Sequence, residues 1–343
     1  MIASSLVQTL CGVPISGVTA IRPVTSYRRL FQAGKIGRRI LSREIEEIHM
    51  SQLKYHHVDV FAPGPFSGNS LTVFLDAGSL RRMQMQRITQ EMRHFESIFL
   101  SPAGAPNTFD AHVFDLIEEL DFAGHPLLGA AAVLHSCMNV GNHAVWTFQL
   151  RAKTAKVMTE RIGEGFRALL DQGRPEFLGE ARSTRREEFA AALNLKVGQL
   201  SRDLPLEVVS TGLRYLIVPL EEGLEQARIV RADFEALLRT VNAQFAYVLD
   251  VRELEGRHWN NDGVMEDVAT GSGAGTVGAY LTKHGRVGAG DEFILRQGRL
   301  LGRPSEIRVR SEGTRAEITR VQVGGDVALV GRGVLDAEPE VKE

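Results

Sequence analysis

The sequence predicts an α+β protein made of two similar halves, each a sheet wrapped around one enclosed helix. Three observations point there. Short alternating stretches far outnumber helical ones, as expected where sheet dominates and helices are few. Residues 123–135 (AGHPLLGAAAVLH) and 270–281 (TGSGAGTVGAYL) repeat one plan, a glycine turn opening a helix that is apolar nearly all round. A helix without a polar face must be enclosed, and two of them ask for two cores. Finally, 343 residues exceed the roughly 250–300 that a single core serves.

Residues 55–61 (YHHVDVF) alternate as a strand, and Pro63, Gly64, Pro65 and Gly68 punctuate the loop after it. A second strand at 71–75 runs into a turn at 76–79, where Ser79 can cap a helix. Met85, Ile88 and Met92 share one face of that helix. Residues 94–100 (HFESIFL) return as a strand closed by Ser101, Pro102, Ala103 and Gly104. Hairpin-like stretches lie at 146–150, 156–159 and 167–170. The charge-rich run 178–188 (LGEARSTRREE) reads as a linker. Beyond it come a helix at 189–195, a buried strand at 215–218, a helix at 234–238 and an extended run at 245–249. The tail reads as four strands, at 293–295, 306–309, 316–318 and 327–330, separated by glycine turns. The first domain is thus expected at 50–177 and the second at 178–333, with a last strand able to return to the first. Residues 334–343 form a tail.

The first 49 residues differ from the rest. Through Arg43 they hold seven Lys or Arg and no Asp or Glu, which suits an organelle-targeting segment, a disordered arm or a start site actually at Met50. None of these gives the segment a part in the chemistry.

Composition excludes several classes. A formal net charge of −2 gives no basic footprint for nucleic acid, and no apolar run reaches the roughly 18–20 residues of a membrane span. Cys11 and Cys137 make neither a disulfide framework nor a zinc site. Nine of the ten histidines, His94 and His258 among them, are scattered without ligand spacing and read as surface or satisfied core residues. No metal site is expected.

Chemistry concentrates in the two glycine turns and one acid. A helix start presents unpaired N–H groups and a positive dipole end, and glycine lets an anion approach both. Gly124-His125 and Gly271-Ser272 are therefore candidate clamps for a substrate carboxylate. Alternation puts Glu96 on the side of Ile98 and Leu100, with Phe95 and Phe99 opposite. A carboxyl buried there has its pKa raised and suits general acid–base work near neutral pH; on an edge strand it would simply face water. Asp267, next to Glu266, either complements the helix start or orients a substrate group and tunes Glu96. His125 can bond a substrate or pass a proton, or it can be a surface residue beside the turn. Gly273, Gly275 and Gly278 match a dinucleotide fingerprint, with Asp291 following. The polar lead-in at 260–267 is not the hydrophobic strand that fingerprint needs, so no nicotinamide or flavin is expected.

Residues 57–76 (HVDVFAPGPFSGNSLTVFLD), 94–100, 119–131 (ELDFAGHPLLGAA), 210–220 (STGLRYLIVPL), 266–281 (EDVATGSGAGTVGAYL) and 297–309 (QGRLLGRPSEIRV) resemble, in order, the landmarks of the PhzF (phenazine biosynthesis isomerase) family. The resemblance implies the diaminopimelate epimerase-like fold, with two pseudo-symmetric domains, each a barrel-like sheet around a central helix, and a site in the cleft. It implies cofactor-free isomerisation of a small cyclic amino or hydroxy acid by a cytoplasmic homodimer. Glu96 then matches the catalytic glutamate, and His125 and Asp267 its supporting pair. Gly124, Gly271 and Ser272 match the carboxylate-binding turns, and Asn69 lies in the SGN motif that contributes to substrate binding. Diaminopimelate epimerases carry a cysteine at the head of each turn; Ala123 and Thr270 stand there, so two-thiol racemisation is excluded. His94-Phe95 and Val268 depart from the pattern at positions expected to line the pocket. A catalytically silent binding or scaffold protein on the same fold is the rival reading.

Overall fold

A computed structural model describes residues 52–138 and 140–340; the expectations for residues 1–49 lie outside them. In chain order the elements of the first half are β1 (Leu53–Val60), β2 (Asn69–Phe74), α1 (Arg82–Met92), β3 (Glu96–Pro102), β4 (Thr108–Asp115), β5 (Glu119–Leu120), α2 (Gly124–Cys137), β6 (His143–Gln149), β7 (Thr154–Ile162) and β8 (Gly165–Gly173). The second half follows with β9 (Glu176–Glu180), α3 (Arg186–Ala192), β10 (Glu207–Ser210), β11 (Arg214–Leu220), α4 (Phe234–Arg239), β12 (Phe245–Asp250), β13 (Glu255–Arg257), α5 (Gly271–Lys283), β14 (Glu292–Gln297), β15 (Ser305–Gly313) and β16 (Ile318–Leu335).

Eight strands, β1-β2-β3-β4-β6-β7-β8-β16, close into a barrel because β16 also pairs with β1. Inside it runs α2, every residue from His125 to His135 buried, as its lack of a polar face requires. From β16 the ladder continues through β15, β14, β13, β12, β11 and β10 to β9, curving round α5. Glycines let both helices lie close to their sheets. A Cβ on Gly129 would come within 2.5 Å of Leu71, and one on Gly278 within 2.3 Å of Val309. The apparent dinucleotide fingerprint has the same cause, since Cβ atoms on Gly273 and Gly275 would strike Tyr247 and Gln172.

Most elements lie where the pattern puts them, and the differences have physical reasons. The helix expected after Ser79 starts at Arg82. The run 178–188 is no linker: it carries the end of β9, a 3-10 turn and the first residues of α3. The strand expected at 327–330 is part of one continuous β16 that starts at Ile318 and reaches Leu335 inside the expected tail, while Ala316 and Glu317 lie in the turn before it. Gly324 and Gly325, which read as a turn, instead let neighbours close in, Cβ atoms there falling within 2.2 Å of the Ala168 carbonyl and 2.8 Å of Phe61.

Strand β3 is covered on both faces. Ile98 and Leu100 join the core around α2, while Phe99 stacks on Phe74 at 4.6 Å beneath Met85 and Ile88 of α1. With β2 on one side and β4 on the other, it is not an edge. Glu96 at its start is therefore drawn out of water.

Candidate active site

The starts of α2 and α5 line one cleft of about 540 Å³, together with Glu96, Asp267 and Tyr215. Neither helix is capped by the side chain that precedes it: Ala123 has no polar atom, and the Thr270 hydroxyl donates to Asp267 Oδ2 at 2.7 Å. Their first N–H groups thus lie at one hollow without a side-chain cap.

Glu96 is 8% exposed, and its Oε2 has no hydrogen-bond partner. Burial holds its carboxyl well above the ordinary 4.5, and the negative charges of Asp267 and Asp115 add to the shift. His125 Nδ1 lies 3.6 Å from Glu96 Oε2, and its Nε2 is buried without a partner. Burial pushes this imidazole down to about 4 against the opposing pull of Asp267. It is neutral at pH 7, so its approach to Glu96 is a contact between polar groups and not an ion pair.

Asp267 is fixed from both sides. Oδ1 accepts from Asn69 Nδ2 at 3.1 Å and from the Ala269 N–H at 3.3 Å, and Oδ2 from Thr270. Glu266 turns away into a two-pronged ion pair with Arg257, 2.7 and 2.8 Å. Ser272 Oγ bonds the Tyr215 hydroxyl at 2.8 Å, and Gln172 Nε2 donates to the Gly271 carbonyl at 2.9 Å.

Six of the seven residues singled out in the sequence line this cleft: Glu96, Gly124, His125, Asp267, Gly271 and Ser272. Asn69 does not; it is buried behind Asp267, its amide divided between that carboxylate and the Ala269 carbonyl. Phe95, expected opposite Glu96, also faces the cleft, because it precedes β3 and escapes the strand's alternation. His94 and Val268 are not on the wall. His94 turns outward, its Nδ1 2.6 Å from Ser70 Oγ and its ring against His57 at 4.5 Å. His258 is the core alternative of the two expected for it, buried with Nδ1 3.0 Å from the Ala246 carbonyl, and it also lines the cleft. Gln172, Tyr215 and Gln297 were missed, and only the run 210–220 held a hint of Tyr215. Gln297 bridges Tyr247, Thr270 and the Asp267 carbonyl.

A hollow of similar size, about 550 Å³, on the outer wall of the barrel holds neither a helix start nor an unpartnered buried carboxyl. The cleft is therefore the candidate site. Among the described residues no cluster of three or more His, Cys, Asp or Glu can hold a metal ion, and no helix is long and apolar enough to cross a membrane.

A family model described as phenazine biosynthesis-like protein matches residues 58–333. The trans-2,3-dihydro-3-hydroxyanthranilate isomerase of Pseudomonas chlororaphis is 32% identical over 290 residues, 82% of this chain and 99% of its own. A solved structure described as a predicted epimerase from Pseudomonas aeruginosa superposes with a TM-score of 0.77 at 46% identity, covering 82% of this chain and 99% of that one. A PhzF-family protein of Bacillus anthracis, at 24% identity, shares the fold with a TM-score of 0.70 over 83% and 99% of the two chains.

Proposed function

This chain belongs to the phenazine biosynthesis-like family and is an isomerase, and we propose that it moves a proton between two carbons of a small carboxylate-bearing ring, with Glu96 as its single acid–base. The observation that carries the reading is the pair of buried, unpartnered atoms, Glu96 Oε2 and His125 Nε2, in the cleft shared by both helix starts.

The substrate carboxylate sits against Gly124 and the Gly271-Ser272 turn, where backbone N–H groups and dipole ends favour negative charge. Ionised Glu96 takes the proton of a C–H bond. The electron pair left behind spreads into the ring's π-system toward the carboxylate. Protonated Glu96 then returns the same proton to a different ring carbon on the same face. A carboxyl with its pKa raised toward neutrality can serve as base and then acid within one turnover. Neutral His125 and Asp267 hold the ring's amine or hydroxyl. The step is redox-neutral and needs no electron acceptor, so the reading includes no cofactor.

The substrate named for the Pseudomonas relative, trans-2,3-dihydro-3-hydroxyanthranilate, is the first ligand to test. In D₂O the enzyme should incorporate solvent deuterium into this ligand or a close analogue. Glu96→Gln should abolish both exchange and turnover while binding stays nearly intact. Full activity in that variant removes Glu96 from the mechanism, and binding without exchange in the wild type favours the silent binder. The reading includes a cytoplasmic homodimer, which sedimentation of the purified chain and imaging in its host would test.

A further inference from the structure

Asn69 reaches Asp267 from a loop that is itself strapped down. Phe66 and Gly68 both adopt positive φ, 66° and 62°, and a Cβ on Gly68 would lie 2.4 Å from the Val60 carbonyl. This tight turn is held by one ion pair. The Arg303 guanidinium donates to the Gly68 carbonyl at 2.8 Å, the Ser67 carbonyl at 2.9 Å and Asp59 Oδ1 at 2.7 Å. Asp59, 1% exposed, accepts the Phe66 N–H through its other oxygen at 2.7 Å, and the Gly68 N–H donates to the Pro304 carbonyl at 3.0 Å. Directly after Gly68, Asn69 donates to Asp267 and to the Ala269 carbonyl.

We propose that Asp59 and Arg303 are positioning residues which, through the loop at 66–69 and the Asn69 amide, fix Asp267 against Glu96 across the junction of the two halves. The inference rests on the Glu96 reading above. Asp59 and Asn69 belong to the first half, Arg303 and Asp267 to the second, so the strap crosses the junction twice. A guanidinium suits the position because it can serve two backbone carbonyls and a carboxylate at once, which an ammonium on a flexible stem does with less order. Asp267 contributes to the field on Glu96, so any slack that lets it withdraw makes ionised Glu96 easier to form. The other titratable or charged groups lining the cleft with Glu96 are Asp115 on β4, Asp121 after β5, His125 on α2, Lys153 before β7, Tyr215 on β11 and His258 after β13; among the described residues His57 and Arg303 face Asp59 as charged or titratable partners.

The test follows Glu96 itself and needs no substrate. In protein carrying ¹³C-carboxyl glutamate, the Glu96 resonance, assigned by its loss in Glu96→Gln, is titrated by NMR. Arg303→Lys keeps a charge beside Asp59 but loosens the loop. It should lower the Glu96 midpoint by about half a pH unit or more. Asn69→Ala should shift it the same way, and the double variant should match Asn69→Ala alone, because both act through one amide. Asp59→Asn with Arg303→Met removes both charges without leaving one buried and should give the same shift if Arg303→Lys does not fold. A Glu96 midpoint unmoved in the strap variants, or shifts from Arg303→Lys and Asn69→Ala that add, overturns the proposal. A wild-type midpoint near the ordinary 4.5 overturns the Glu96 reading beneath it and leaves the strap without a catalytic role.

Discussion

Glu96 makes two predictions of opposite appearance. In the unfolded chain it titrates near 4.5, and in the folded protein well above that. Between those values the folded state holds a proton that the unfolded state has lost, so stability falls as pH rises through the window. Glu96→Gln removes this cost. Its melting temperature should match the wild type at acid pH and exceed it increasingly above about pH 4.5; a constant difference across pH would refute the assignment. Under the proposed mechanism activity runs the other way, since its base must be ionised, and kcat/KM should climb through the Glu96 pKa. Asp115→Asn removes one of the charges raising that pKa and should move the limb to lower pH. The substitution is mild, because Asn Oδ1 can still accept the Ile117 and Glu118 N–H groups that Asp115 Oδ1 takes at 2.7 Å each. Glu96 was legible in the sequence because a strand's alternation is local. Gln172 and Gln297 were not, because their partners Gly271, Thr211, Tyr247 and Thr270 lie far along the chain and only the fold brings them together.

At the scale of elements, the two central helices were the clearest signal, since nothing but enclosure accommodates helices so apolar. Their glycines divide into two kinds that the sequence cannot separate. Gly278 and Gly129 give way to neighbouring side chains, whereas a Cβ on Gly124 would make an ordinary 3.6 Å contact with Leu170. Gly278→Ala should therefore lose about 1–3 kcal/mol of stability in urea unfolding, as overpacked cores do. Gly124→Ala should unfold like the wild type and raise KM, because the new methyl intrudes where the proposed substrate carboxylate meets the backbone. Equal effects on stability from both would dissolve the distinction. Strand β16 was misread for a related reason: paired glycines signal a turn only when nothing presses against them, and here a carbonyl and an aromatic ring do.

For the whole molecule, the fold class was legible and a return of the last strand to the first half was allowed for, but its continuity with the strand of the second half was not. The echo of two enclosed helices predicted two sheets, yet one strand serving both is invisible in a local pattern. Val327 to Leu335 of β16 pair with β1 in antiparallel register, broken by one bulge at His57/Val58. A chain ending after Asp326 should lose the barrel and fail to give a cooperative melt, while one ending after Asp336 should melt close to the full-length protein. Survival of the shorter chain would mean that closure contributes little.

That pairing has a consequence for how the protein is made. Leu53 meets Leu335, so the strand that seals the first barrel is synthesised long after the strand it pairs with. Until then β1 and β8 offer bare edges, and contacts this distant in sequence form slowly. The first half must wait, unsealed, until β9 to β15 and most of the second half have been made. Slowing synthesis should therefore not improve the soluble yield, whereas holdase chaperones that cover exposed strand edges should.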